Sequence, residues 1–398
     1  MDRRHFLNRS AILSASSFLP TFVKRSEFDG LEVSRTGNVL VVIQLSGGND
    51  GLNAIVPYQD DVYYQNRPTI GIRPEHLLKM SDMMGLHPAM APLREIYDSG
   101  EMTVVNGVGY PNPNRSHFRS MDIWHSAGDG HRNEQTGWIG RYLDSNCNQC
   151  AVPYHALEIG DELSLALKGH QRDGFAMRNP NKLKKTATNP FHVYLAKNYL
   201  DRDLGNNVDY LYKTMIEVQE SATYLYQQSK KKTSRTSYPR HPFAIGLKQI
   251  AELIMAGTDT KIYYISLSGF DTHVNQGVRQ SFLLKNYSEA VSAFIKDLKA
   301  NNLLDDTLVM TFSEFGRRVK ENGSRGTDHG TANNVFFFGG RLTKPGMYNS
   351  MTDLTQLDQG DLKHQVDFRS LYASLLEDWL GSSASTILPG AFEKLSIV

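Results

Sequence analysis

The chain has 398 residues, and its 43 lysines and arginines against 42 aspartates and glutamates leave a formal net charge of +1. That balance lacks the basic excess with which proteins neutralise phosphate backbones or anionic lipid surfaces, so nucleic acid is excluded as an expected partner. Hydrophobic residues make up 40%, enough at this length for a substantial core in one large or several ordinary domains.

The chain opens with "MDRRHFLNRSAILSASSFLPTFVKR". Arg3 and Arg4 precede Phe6, Leu7 and a weakly apolar Ser/Ala-rich stretch, which resembles a twin-arginine export signal. Residues 1–28 are therefore read as an address. The twin-arginine translocase is the expected partner, and the periplasm or the exterior is the destination. The other reading is an amphipathic N-terminal helix. The apolar run is shorter than the ~20 residues a membrane span requires.

Val39 to Leu45, in "NVLVVIQLSGGNDGLN", forms a buried-strand run ending in a glycine-rich turn. "MAPLREIYDSGEMTVVNGVGYPNPN" predicts a helix, a strand from Met102 to Asn106 and a Pro/Asn loop. The two cysteines, Cys147 and Cys150, form a lone C-x-x-C. This is a local disulfide, an incidental pair or half of a metal site, and no second pair completes a zinc knuckle. Residues 150–240 are expected to form a helical insertion or cap, with a long helix from Asn207 whose lysines Lys230 to Lys232 make a solvated end.

Helix and strand then alternate. Strands are predicted at Ile262–Leu267, at Thr307–Phe312 and in "NVFFFGG", and an amphipathic helix in "DFRSLYASLLEDWLG". The alternation with short links predicts an α/β fold, a mostly parallel sheet with helices on both faces. In such a sheet the ligand site lies outside the carboxyl ends of the strands. Asn49 and Asp50 follow one predicted strand, Asp271 and His273 a second, and Glu314 a third; Asp328 and His329, flanked by glycines, precede a fourth. Carboxylates and imidazoles without thiolates suit a divalent metal, Zn²⁺ or Mn²⁺ before Mg²⁺ or Ca²⁺. Asp271 and His273 are two apart, so on extended backbone they share one face. Other motifs fail. "NGVGYPN" is a truncated dinucleotide loop, and neither G-x-S-x-G nor a phosphate-binding G-x-x-x-x-G-K-[ST] occurs.

In their order, "QLSGGNDGLN", "GFDTH", "FSEFGRR" and "GTDHGTANNVFFFGG" resemble a bacterial exported family, domain of unknown function 1501, grouped with the alkaline-phosphatase/sulfatase superfamily. The resemblance runs from about Asn38 to the C-terminus. It implies an alkaline-phosphatase-like α/β domain with a metal-assisted site for phosphate or sulfate esters of small molecules or glycans.

Carried over, Asp50 looks like the first-strand aspartate that touches a metal. Asp271 and His273 look like the middle acid–imidazole pair, at closer spacing than usual. Glu314 falls where an aspartate usually follows its strand, and His329 where the last histidine lies. Asp328 is extra, a replacement ligand or an orienting partner. Ser116, in "NPNRSHFRSMDIWH", falls where the superfamily nucleophile starts a helix whose N-terminus favours an anion; it also reads as an ordinary N-cap. Arg115, His117 and Arg119 are candidates for holding that anion. Phe315 stands where active phosphatases carry a second histidine, which implies that one of two metal positions is weak or lost. No cysteine or serine is followed by the x-Pro-x-Arg of formylglycine sulfatases. The rival expectation is a non-catalytic binding or assembly protein that keeps the fold and one structural ion.

Overall fold

The computed structural model describes residues 37–132, 134–145, 153–190, 193–194 and 207–398. The twin-arginine segment and the Cys147/Cys150 pair lie outside them. Among the described residues, nine strands form one sheet. They are β1 (Val39–Ser46), β2 (Met102–Gly109), β3 (Ala156–Ile159), β4 (Phe175–Ala176), β5 (Ile262–Ser268), β6 (Thr307–Phe312), β7 (Asn333–Phe338), β8 (Gly346–Met347) and β9 (Val366–Asp367). The order is β8-β2-β7-β6-β1-β5-β3-β4, with β9 also on β2.

Strand β1 is parallel to both neighbours, β5 and β6, and β3 is parallel to β5 and β4. Only β7 is reversed among the long strands, antiparallel to β2 and β6. The sheet is thus mixed and mostly parallel.

The helices that cover it are α1 (Ala91–Asp98), α2 (His117–Ser126), α3 (Trp138–Ser145), α4 (Asn207–Lys231), α5 (Pro242–Met255), α6 (Gln276–Ala300) and α7 (Phe368–Ser374). Alternate side chains of a strand point to opposite faces, so the unbroken apolar run of β1 feeds two cores at once. Val39, Val41, Ile43 and Leu45 pack with Leu93 of α1, Leu225 of α4, Leu247 of α5 and Tyr287 of α6. Leu40 and Val42 pack on the other side with Trp124 of α2, Ile139 of α3 and Leu371 of α7.

The segment expected as an insertion contributes β3 and β4 to the sheet edge. Its helix α4 packs over one face, where Tyr224 stacks on Tyr154 with centroids 4.3 Å apart. Among the described residues no helix is long and apolar enough to cross a membrane.

These directions position the site. β1, β5 and β6 run the same way, and so does β2, since β7 is antiparallel to both β2 and β6. Four strands therefore end on one edge, where β7 begins.

Candidate metal centre

The turn leaving β1 has Gly47 at φ +116° and Gly48 at φ +69°, backbone that glycine adopts without strain. A Cβ on Gly47 would lie 2.5 Å from the Asp271 amide nitrogen, and one on Gly48 2.3 Å from the Phe315 ring. The turn is thus pressed against the loops leaving β5 and β6. Ser313 fastens them further: its hydroxyl donates to the Leu45 carbonyl at 2.6 Å and accepts the Asn49 N–H at 2.9 Å. Beyond Phe315 the chain doubles back as a hairpin. Gly330 N–H donates to the Gly316 carbonyl at 2.9 Å and Arg318 N–H to the Asp328 carbonyl at 3.0 Å, which brings Asp328 and His329 to the rim. His117, the first residue of α2, arrives from the loop after β2.

Four side chains converge there. Asp271 Oδ1 lies 2.9 Å from His273 Nε2, 3.2 Å from His329 Nε2 and 3.6 Å from His117 Nε2. Ligand atoms of His117, Asp271 and His329 all fall within 4.8 Å of one another. The outer nitrogen of each ring is also engaged. His117 Nδ1 meets Glu314 Oε1 at 2.8 Å, His273 Nδ1 meets Asp328 Oδ1 at 3.3 Å, and His329 Nδ1 meets the Arg115 carbonyl at 2.8 Å.

Those partners only accept hydrogen bonds, so each Nδ1 is the donor. A neutral ring then turns its Nε2 lone pair inward. His273 Nε2 and His329 Nε2 are 3.0 Å apart. Two lone pairs at that distance cannot bond each other, and protonating both rings would set like charges face to face. His117 Nε2 is buried without any hydrogen-bond partner. A cation among these groups would resolve both conflicts, and a set of imidazoles with a carboxylate suits Zn²⁺ or Mn²⁺. Carboxylate or carbonyl partners behind metal-binding imidazoles hold ring orientation and raise basicity.

Burial and neighbouring charges shift several of these groups. Burial alone would raise the Asp271 carboxyl, but the hydrogen bond and charge of Arg317, with close approach of His329 and His273, bring it down to about 2. The Glu314 hydrogen bond holds His117 above the usual imidazole range. Burial pushes His329 below it despite the Arg115 carbonyl and Asp271. The Asn322 amide, 3.2 Å away, does most to hold Asp328 low.

The other predicted residues occupy different places. Asp50 is fully buried in an ion pair with Arg67 at 2.6 Å, and the same Oδ2 accepts from Gln276 Nε2 at 2.5 Å; its Oδ1 has no partner. Glu314 sits behind His117, where Oε1 also accepts the Gly47 N–H at 2.9 Å. His117, expected beside an anion, stands instead among the converging imidazoles. Ser116 is exposed at the start of α2 and its side chain makes no cap bond. Arg115 pairs with Asp361. Arg119 Nη2 donates to the carbonyls of Gly130 at 2.5 Å and Arg132 at 2.8 Å. Phe315 packs 4.8 Å from the rings of both His117 and His329 as an apolar wall.

Sequence reasoning overlooked Arg317. It is buried, and its guanidinium donates to the carbonyls of Gly47, Gly48, Phe270 and Thr327 and to Asp271 Oδ1 at 2.8 Å. One side chain thereby ties three rim loops together. Its signal was its place in "FSEFGRR", directly after the Glu314 loop. Arg67, the partner of Asp50, had no signal, because it caps the C-terminal end of a short helix, Asp61–Asn66, and follows no strand of the large sheet.

A search of curated proteins by sequence finds no match. Solved structures with a distant likeness include the C-terminal periplasmic domain of EcEptC from Escherichia coli, 12% identical, with a TM-score of 0.41 over 93% of this chain and 90% of that one. The phosphonate monoester hydrolase SpPMH from Silicibacter pomeroyi is 10% identical, with a TM-score of 0.41 over 90% and 76%. A protein in the alkaline phosphatase superfamily from Vibrio parahaemolyticus is 12% identical, with a TM-score of 0.34 over 87% and 71%. Residues 38–384, which carry every loop of the rim, match the model of the family described as Protein of unknown function (DUF1501), and the chain belongs to that family.

Proposed function

We propose that the chain is an exported metal-dependent hydrolase of phosphate- or sulfate-type esters. The observation that carries this reading is the convergence of three imidazole nitrogens and Asp271 Oδ1, each ring held from behind by an acceptor. His117, Asp271, His273 and His329 would hold the ion. A dication there supplies Lewis-acid polarisation of an ester oxygen and a lowered pKa for a bound hydroxyl.

The chain's own residues do the rest. Glu314, Asp328 and the Arg115 carbonyl aim the rings, and Arg317 fixes the Asp271 carboxylate while offsetting part of its charge. Phe315 keeps water from one side of the imidazoles. Ser116, at the amino end of α2 with no side-chain cap bond, would be the nucleophile, where the helix N–H groups favour an anion. Because Arg67 already neutralises Asp50 and Phe315 offers no donor atom, the proposed site holds one ion, with Asp328 orienting His273.

A second reading, a binding protein with one structural ion, is favoured by the engagement of Arg115 with Asp361 and of Arg119 with the Gly130 and Arg132 carbonyls. Elemental analysis of purified protein should find one Zn or Mn per chain, mostly lost in His273→Ala. Turnover of aryl phosphate, sulfate or phosphonate monoesters by the loaded protein, abolished in Ser116→Ala, supports the enzyme. A full ion complement with no turnover of any of the three supports the binding protein, and a metal-free wild type defeats both.

A further inference from the structure

The three acceptors behind the imidazoles are not anchored alike. Glu314 stands two residues after β6, and Asp328 sits in the hairpin that follows. The third is the Arg115 carbonyl, which meets His329 Nδ1 at 2.8 Å. It belongs to residues 111–116, which lie in neither helix nor strand, so side chains must fix its direction. Asn114 does part of this locally. Its N–H donates to Tyr110 Oη at 3.1 Å, and its Oδ1 accepts the Ser116 N–H at 2.8 Å.

The other anchor comes from 246 residues further along the chain. Arg115 Nε donates to Asp361 Oδ2 at 2.8 Å, and Nη2 donates to the same oxygen. The Asp361 side chain is 1% exposed and that of Arg115 38%, so the carboxylate is the fixed end of the pair. A tight turn delivers it. Leu357–Asp358 and Asp361–Leu362 pair as an antiparallel hairpin, with Gln359 at φ +51° and Gly360 at φ +88°, positive at both central residues as in a type I′ turn. Thr331, two residues after His329, donates its Oγ1 hydrogen to the Leu362 carbonyl at 2.5 Å. The hairpin thus holds both sides of the His329–Arg115 hydrogen bond. Arg318 adds a second cation, its Nε 3.8 Å from Asp361 Oδ1, an oxygen with no hydrogen-bond partner. A buried carboxylate between two guanidinium groups is held by charge as well as by shape, and charge-assisted bonds are roughly twice as strong as neutral ones.

We propose that Asp361 is a positioning residue for the imidazole cluster: through Arg115 it sets the carbonyl that keeps His329 in its Nδ1–H tautomer, with the Nε2 lone pair turned to the cluster. The tautomer follows from the chain's own contacts. Its consequence for metal affinity rests on the proposed ion.

Histidine-selective ¹⁵N labelling reads the tautomer in metal-free protein at pH 8, with the His329 signals identified by their loss in His329→Gln. A single Nδ1–H form is expected in the wild type, and a mixture of both tautomers in Asp361→Ala. The same mixture is expected in Arg115→Met, which changes a half-exposed side chain and keeps the test open if the buried substitution does not fold. In zinc-loaded protein, competition with a chromophoric chelator should show affinity down about tenfold in each variant. The double variant should lose no more, because both substitutions act through one contact. An Nε2–H wild type, or a tautomer that both variants leave unchanged, overturns the proposal; a lowered unfolding midpoint alone would mean that Asp361 serves packing. Zinc losses that add in the double variant overturn it too. A wild type that binds no zinc defeats the proposed ion, while the tautomer still decides the role of Asp361.

Discussion

Glu314 stands one bond behind the proposed metal ligands. Its carboxylate touches no converging atom of the cluster, yet it holds His117 Nδ1 at 2.8 Å and the Gly47 N–H at 2.9 Å. Glu314→Gln keeps shape and removes charge, so the His117 Nε2 lone pair becomes less basic. Metal affinity should fall about 10–100-fold with the unfolding midpoint of the metal-free protein little changed. Competition with a chromophoric chelator reads this directly, and an unaltered dissociation constant would remove Glu314 from the site. That role was not legible in the sequence, where Glu314 reads as a ligand because it follows a strand. Ligand and orienting partner differ only in which nitrogen of His117 the carboxylate meets. Asp50 was misleading for a similar reason: its distance from Arg67 in the chain gave no hint that a buried guanidinium occupies its carboxylate.

At the level of elements, the rim itself was legible. Alternating helix and strand implied parallel strands, parallel strands share an edge, and most of the candidate metal ligands stood next to a strand end. The reversed β7 was not foreseen, but it begins on that same edge, which is why His329 reaches the cluster from before its strand. The turn after β1 depends on glycine in two ways. Gly48→Ala would place a methyl group 2.3 Å from the Phe315 ring at a positive φ, combining left-handed strain with overpacking, together about 2–4 kcal/mol. Chemical denaturation should show that loss, and Phe315→Leu in the same chain should restore part of it. Additive effects of the two substitutions would mean they do not meet.

For the whole molecule, stability should depend on pH through the strand beside the site. Burial of Glu158 on β3 pushes its carboxyl up to about 7, although Ser164 N–H donates to it at 2.7 Å. The folded state therefore binds the proton more tightly than the unfolded chain. The resulting stabilisation is present below about pH 4.5 and disappears as pH rises to about 7, a swing on the order of 3 kcal/mol. Glu158→Gln should flatten this part of the stability curve and be the more stable protein at pH 8; parallel curves would show that Glu158 titrates normally. Export is a second whole-chain property. Replacing Arg3 and Arg4 with lysine should leave the protein in the cytoplasm, as cell fractionation would show, and undiminished periplasmic protein would exclude the twin-arginine route.

The scattering of the ligands along the chain carries one more consequence. His117 follows β2, Asp271 and His273 follow β5, and His329 precedes β7, so no contiguous stretch of polypeptide holds the centre. An ion with this donor set recognises only finished sheets, adding RT ln(1 + [M]/Kd) to the native state and little to an unfolded one. Metal uptake at the proposed site would thus work as a test of completeness: chelation should lower the unfolding midpoint in one cooperative step, with no half-built species able to retain the ion.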